Sequence, residues 1–487
     1  MSITSKPKPA ELFGRESEWD ALSRFVEAPN AGSRLGVVYG RRRQGKTVLL
    51  ESLRDAYGGF YWQARQQSDA QNLASLSVAW TKFTSAAVPT RFADWDEAFS
   101  ALARPPGVSP VPVLLDEVGY LVQAAPDAPS HLQAVLSPRG LARTKGSARL
   151  ILCGSALGQM RKLLDADAPL RGRAAMELAV HPFSYRQAAE FWGLKANPNA
   201  AFRLHALVGG TPAYRDYASG DTPDDGDVDD WVLRNLLSHS SPLFREGRIV
   251  ISEDPALSDQ ALYWGLLGAV AEGARRRGEI TAVLNRSETS LSHALTVLTD
   301  AGWITQNRDP LRDKRSTFTI AEPIVRFHRL VVEPNESRLL HRGLAPQVWE
   351  ENAPLIRSRV YDAHLEQLAT EWLMLHASLQ TLGGRARLVG STEIRVKGSL
   401  AQVDLAAVES TTAGGTRLLA LGEVKAGDRP MEMPALERLD EIAKARGGEP
   451  IKRILVSRSG FTAPLKTAVR FRRDVELVDL HRLYHGE

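Results

Sequence analysis

Leu35-Gly-Val-Val-Tyr39 runs straight into Gly40-Arg-Arg-Arg-Gln-Gly45-Lys46-Thr47, and an apolar helix start, Val48-Leu49-Leu50, follows. A short apolar strand, a loop spaced G-x-x-x-x-G-K-[ST] and a helix, in that order, make a phosphate-binding loop, or P-loop. The residue types supply the reason. Gly40 and Gly45 let the backbone wrap close to phosphate oxygens, and the helix N-terminus behind them favours an anion. Lys46 offers an ammonium to β- and γ-phosphates, and Thr47 a hydroxyl to Mg²⁺. Arg41, Arg42, Arg43, Gln44 and Val48 complete the stretch around the expected phosphates, with one arginine adding charge to the cradle.

Working outward, short apolar runs alternate with helical stretches: Leu35 to Tyr39, Gly59 to Trp62, Val111 to Leu115, Arg149 to Cys153 and Met176 to Val180. Continuous runs rich in Val, Leu and Ile predict an α/β fold, its parallel sheet covered on both faces. The third run ends in Asp116-Glu117, two carboxylates at a strand end. Asp116 is expected to hold the Mg²⁺ shell, and Glu117 to orient and deprotonate an attacking water. The fourth run ends in Gly154-Ser155, which predicts a hydroxyl near the γ-phosphate. Cys153, inside that run, reads as a packed core residue. Gly154-Ser155 lacks the G-x-S-x-G spacing of a nucleophile elbow, which removes an acyl or peptide hydrolase.

Composition bounds the rest. The 487 residues, 43% hydrophobic and 24% charged, suit about three globular domains and exclude disordered, collagen-like and coiled-coil chains. A single cysteine removes a disulfide scaffold and a thiolate metal cage, and fits a reducing compartment. Met1 to Phe13 has no signal-peptide core, and no apolar run approaches the ~18 residues of a membrane span, so a cytoplasmic protein without a membrane partner is expected. A pI of 9.1 on a net charge of +4 leaves the question of where the charges sit.

With the loop and the strand-end acids, the chain resembles the archaeal-type ATPase family, a P-loop branch grouped with AAA+ and STAND proteins. Further words carry the likeness: Leu12-Phe-Gly-Arg15-Glu16, Cys153-Gly-Ser155, Pro169-Leu-Arg-Gly-Arg173 and Gly209-Gly-Thr-Pro212. The resemblance implies ATP hydrolysis with ATP and Mg²⁺ as cofactors, Thr47 and Asp116 on the metal, and Ser155 at the polar sensor position of AAA-type ATPases. Relatives usually read Pro-Leu-Tyr-Gly-Arg where this chain has Pro169 to Arg173. Arg173 is thus the candidate for contacting the γ-phosphate, with Arg171 a second one, and homo-oligomerisation is left open.

After Pro182 the chain turns helical, as a lid over the sheet would. An acidic loop from Ser219 to Asp230 follows, whose Asp221, Asp224, Asp225, Asp227, Asp229 and Asp230 read as a solvated connection. Ala256 to Gly278, Glu279 to Leu284 and Ser287 to Thr299 read as three helices, the last burying Leu291, Leu295 and Leu298. A hairpin, Trp303-Ile304 with Thr317 to Ile320, carries Arg308, Arg312, Lys314 and Arg315. This order predicts a winged helix-turn-helix, its third helix in a DNA major groove and its basic wing on phosphates. The other reading is a packing module that moves with nucleotide state.

Farther on, a long helix from Pro354 to His376 carries Glu366, the strand Gln402 to Val408 carries Asp404, and Leu418 to Lys425 ends in Glu423-Val-Lys425. Residues two apart on a strand share a face, so Glu423 and Lys425 point together. Two acids on Mg²⁺ plus a lysine against developing charge suit phosphodiester hydrolysis. The arrangement resembles the PD-(D/E)xK restriction-endonuclease-like fold, with Asp404, Glu423 and Lys425 catalytic and Glu366 joining Asp404 and Glu423 on the metal. Relatives commonly carry a glutamate where Gln402 stands. The expected divisions are a P-loop ATPase domain with helical lid over 1–220, connecting helices and winged helix over 221–335, and the restriction-endonuclease-like α/β domain over 336–487. Together they predict an ATPase acting on DNA; the alternative is a regulatory or signalling STAND-type ATPase whose C-terminal parts only bind partners or DNA.

Overall fold

A computed structural model describes residues 6–29, 32–106, 110–137, 147–223, 227–312, 315–411, 415–447 and 450–487. The first sheet is parallel and five-stranded: β1 (Arg34–Tyr39), β2 (Phe60–Gln63), β3 (Val111–Asp116), β4 (Ala148–Gly154) and β5 (Ala174–Ala179), in the order β2-β3-β4-β1-β5. Strands β3 and β4 are buried at every residue because helices cover both faces. Val113 and Leu115 pack on one face, against the helices Asp69–Thr84 and Trp95–Leu102. Leu114 and Ile151 pack on the other, against Glu16–Glu27 and Lys46–Tyr57. Burying each such leucine contributes about 1.5–3 kcal/mol. The last strand departs from the expected pattern: β5 alternates between exposed and half-buried residues because it forms the sheet edge.

From Tyr185 onward one continuous hydrophobic cluster runs to Tyr484, across the divisions expected at 220 and 335. The expected helix Ala256 to Gly278 stops at Ala271; Gly273, at φ 110, turns the chain, and a new helix spans Arg277–Leu284. The third helix is Glu288–Asp300, followed by the antiparallel pair β6 (Ile304–Arg308) and β7 (Ser316–Ile320). Lys314 lies outside the described residues. So do Asp224 and Asp225, and the rest of the acidic stretch is not simply solvated. Asp221 accepts hydrogen bonds from Arg234 and Asn235, and Asp229 pairs with Arg203. Asp229 and Asp230 sit in the first turn of the helix Val228–Asn235, where acids are favoured.

The long helix expected from Pro354 contains a π-helical stretch, Ile356–Tyr361, before the regular helix Asp362–Leu375. It packs on a second five-stranded sheet, mixed in direction: β8 (Leu388–Val396), β9 (Ser399–Ser410), β10 (Thr416–Lys425), β11 (Lys452–Ser457) and β12 (Val475–Asp479), ordered β12-β11-β10-β9-β8. The helix Met433–Arg446 joins Ile394, Leu421 and Leu455 in a separate core. No helix among the described residues is long and apolar enough to cross a membrane.

Candidate functional site

The loop between β1 and the helix Lys46–Tyr57 packs against the Val180 backbone and is tied by Arg15. Gly45 has a φ of 80, and a Cβ on Gly40 would run into the carbonyl of Val180, so neither position accepts a side chain without rearrangement. Arg15 buttresses the loop from behind: its guanidinium donates to the carbonyls of Gln44 and His181 at 2.8 and 2.7 Å and lies over the Phe183 ring. That gives the word Leu12 to Glu16 a physical task which its position in the sequence did not disclose. Lys46 is buried and donates to the Arg41 carbonyl at 2.8 Å. Burial pulls its ammonium below the usual range, against the carboxylates of Glu117 and Asp116.

The strand-end acids meet this loop. The Thr47 hydroxyl donates to Asp116 Oδ2 at 2.9 Å, and Tyr61 donates to the same oxygen at 3.0 Å. A hydroxyl and a carboxylate are hard oxygen donors that fit a small divalent cation. Glu117 adopts a φ of 50, a left-handed conformation costing a non-glycine residue on the order of 1 kcal/mol. Ser155, at the end of β4, donates to Glu117 Oε1 at 2.7 Å. Lys46, Thr47, Val48, Glu117 and Ser155 line one cleft together with Pro212 and Asp216 from the helical segment. Cys153 is fully buried beneath it, its thiol pushed up by burial and by Asp116, which leaves it a neutral packing group.

Of the three loop arginines, Arg42 and Arg43 line the cleft with Lys46 and Thr47, and all three are also held by partners elsewhere in the chain. Arg41 forms a buried ion pair with Glu322, donates to the Gly302 carbonyl and stacks on Trp303. Arg42 meets Tyr120 and Glu253, while Arg43 meets Tyr217, Glu246 and Glu253. Arg41 and Arg43 thereby tie the loop to the hairpin and the later helices, and Arg42 ties it to Tyr120, just after β3, as well as to Glu253. Glu246 is pushed up to about 7 by burial, although Arg43 pulls it down. Arg173 is not brought to the cleft. It immediately precedes β5, whose Ala174 pairs with Leu35, while the loop leaves β1 after Tyr39. Strand rise alone separates the two ends by about 13 Å or more. Arg171 is exposed and donates to the Ala166 carbonyl.

A second cleft opens between the residues 273–279, the hairpin and the C-terminal sheet. Its lining unites Glu366, Asp404, Glu423 and Lys425 with Asp362, Arg275 and Arg438, none of the last three singled out by the sequence. The antiparallel register, with Gly422 opposite Leu405, brings Glu423 next to Asp404. Asp404 accepts from the Val424 amide and is pushed up to about 6, mainly by burial, with Glu366 and Glu423 adding to it. Asp362 accepts from the Ala426 amide and is also raised by burial. The expected metal set is nevertheless not assembled. Glu366 pairs with Arg275 at 2.6 Å, and Glu423 with Arg438 at 2.7 Å and Lys425 at 3.3 Å. Among the described residues no three His, Cys, Asp or Glu side chains are gathered to hold a metal ion.

Two of the hairpin arginines are engaged by the C-terminal sheet. Arg312 and Arg315 both pair with Glu393 of β8, as does Arg276, and Thr392 donates to Asp309 at 2.7 Å. Arg308 remains exposed, as do Thr289, Ser290 and His293 on the third helix.

No family model and no curated protein matches the sequence. Among solved structures, the Walker-type ATPase of Pyrococcus abyssi is similar at 20% identity and a TM-score of 0.50, over 67% of this chain and 98% of that one. The ORC2 protein of Aeropyrum pernix, in its ADPNP–ADP complexes, aligns at 16% identity and a TM-score of 0.43, over 69% of this chain and 97% of that one. The ORC1 protein of Aeropyrum pernix in complex with DNA aligns at 15% and 0.33, over 68% and 95%. The likeness to the Pyrococcus protein shows the fold: the five-stranded parallel sheet is that of a P-loop ATPase.

Proposed function

We propose that the chain is a Mg²⁺-dependent ATPase of the AAA+/STAND type that acts on DNA through a restriction-endonuclease-like C-terminal domain. The observation that carries the ATPase reading is the 2.9 Å contact of Thr47 with Asp116, beside the Glu117–Ser155 hydrogen bond in one cleft with Lys46. Lys46 neutralises β- and γ-phosphate charge, and the loop amides and helix N-terminus bind the rest. Thr47 and Asp116 would hold Mg²⁺, which screens the phosphates when bound. Glu117, steered by Ser155, orients water and takes its proton. In this reading 1–220, 221–335 and 336–487 are the ATPase with its lid, a winged helix and a nuclease-like unit. Lys46→Ala should abolish ATP turnover measured by phosphate release; unchanged turnover would overturn the assignment.

For the C-terminal cleft, the support is the meeting of Asp404, Glu423 and Lys425 on adjacent strands. Cutting DNA there requires that Arg275 first release Glu366 and Arg438 release Glu423. Lys425→Ala should remove DNA cleavage in Mg²⁺ or Mn²⁺ and leave ATP turnover intact. The same ion pairs favour a second reading, a regulatory ATPase whose C-terminal parts bind without cutting. Absence of cleavage by wild type, with DNA binding retained, selects that reading.

A further inference from the structure

The second cleft is lined by seven cationic and seven anionic side chains, so it presents no bare basic track. Its charges are nevertheless unevenly arranged. Arg276, Arg312 and Arg315, drawn from a helix start and from the hairpin, converge on the single carboxylate of Glu393. Glu279 and Asp309 also act on Arg276, but Glu393 is the one carboxylate that pairs directly with all three guanidiniums. Next to Arg276 in the chain, Arg275 reaches the other way, to Glu366. A backbone phosphodiester offers the same two oxygens and single negative charge as a carboxylate, so it can take the same forked donors that now hold Glu393.

We infer that this cleft is a binding track for a nucleic-acid backbone and that Glu393 holds, within the chain, a position that a backbone phosphate takes when DNA binds. The inference rests on the DNA reading given above and adds where the DNA lies: between the hairpin and the sheet, rather than on the third helix alone. Magnitudes favour exchange. Arg276 and Arg315 are 47% and 51% exposed, and ion pairs this open hold with little net strength in water. A polyanion that replaces Glu393 also releases its own condensed counterions, which a fixed carboxylate cannot do. Glu393 therefore keeps the hairpin docked on β8 without nucleic acid and gives way to it. The carboxylate works as a latch.

The test is Glu393→Gln, close in shape and uncharged, in the full chain. A fluorescently labelled 30-base-pair duplex and the matching single strand are titrated by anisotropy in EDTA, so that binding is read apart from cleavage. Glu393→Gln should tighten duplex binding about fivefold at 0.1 M salt and steepen the salt dependence by about one phosphate contact. Arg315→Gln, at an exposed position, should weaken binding and flatten the same slope, and it serves where Glu393→Gln fails to fold. Binding by wild type that neither substitution changes would overturn the latch and leave the DNA reading standing. No binding by any of the three proteins at low salt would overturn both. Tightening confined to the single strand would keep the track and exclude the duplex.

Discussion

The buried pair between Arg41 and Glu322 gives the sharpest test of how the P-loop is tied to the rest of the chain. Their side chains are only 9% and 4% exposed, so neither charge can turn to water when its partner is lost. Unit charges about 4 Å apart at an effective dielectric near 20 interact by about 4 kcal/mol, and breaking one side of a buried pair typically costs about 3–5 kcal/mol. Glu322→Gln keeps the Arg41 stack on Trp303 and its bond to Gly302, so about 3 kcal/mol is expected. Arg41→Met loses those contacts as well and should cost about 4 kcal/mol at pH 8. The double variant should cost only about 4–5 kcal/mol, a coupling of about 2–3 kcal/mol.

The pH dependence of that pair supplies a second readout. Burial raises the Glu322 carboxyl, and Arg41 opposes the rise. A carboxyl raised in the fold contributes stability below its unfolded value that is lost as pH climbs through the folded one. Arg41→Met removes the opposing charge, so its penalty should be largest at pH 8 and shrink toward pH 5, where a neutral Glu322 is cheap to bury. Urea unfolding followed by tryptophan fluorescence, with Trp303 beside the pair, measures all four proteins at both pH values. Additive single costs, or an Arg41→Met penalty indifferent to pH, would refute the account.

Asp404, held at about 6 against an unfolded value near 3.9, should destabilise the fold by up to about 3 kcal/mol above pH 6 and hardly at all below pH 4. Asp404→Asn should therefore raise the melting temperature at pH 8 more than at pH 5; a lower one at pH 8 would count against a desolvated acid there. Gly40→Ala forces a Cβ against the Val180 carbonyl, so binding of a fluorescent ATP analogue should fall at least tenfold, and wild-type affinity would contradict the loop geometry. A non-hydrolysable ATP analogue should shift DNA affinity several-fold in wild type but not in Glu322→Gln, as anisotropy can read; an equal shift in both would remove Glu322 from the coupling.

What could be read from the sequence was local. Gly40 to Thr47, Asp116-Glu117 and Ser155 are contiguous words at strand ends, and a parallel sheet brings its strand ends together whatever lies between. The side-chain directions of Arg41, Arg42 and Arg43 were not legible, because Glu322 and Glu253 lie 281 and 210 residues downstream of Arg41 and Arg43. Nor does Met176 to Val180 disclose that its strand is an edge, since its composition resembles that of a covered one. In the C-terminal part, Asp404 and Glu423 were readable from strand period. Arg438 and Arg275 were not, because they arrive from a later helix and from an earlier segment. Glu393 is hidden for the same reason: a lone acid on β8 acquires meaning only when three arginines close on it.

Those long-range partners form a physical connection between the two clefts. Glu322 immediately precedes the helix Pro323–Phe327, and Arg326, one turn on, donates at 3.0 Å to Gln367 and to the Ile320 carbonyl. Burial, with Arg275 nearby, pulls Arg326 down to about 10. Gln367 neighbours Glu366, which Arg275 holds. If the loop backbone at Arg41 shifts as phosphates enter, Glu322 must follow or lose its counter-charge, a penalty of about 3–5 kcal/mol. In the second cleft the Arg276 and Arg315 side chains are about half exposed, so their pairs with Glu393 are weak by comparison. The stiff end of the connection is therefore at the P-loop and the yielding end at Arg276, Arg315 and Glu393. A rearrangement at the first cleft is most cheaply absorbed by opening the second.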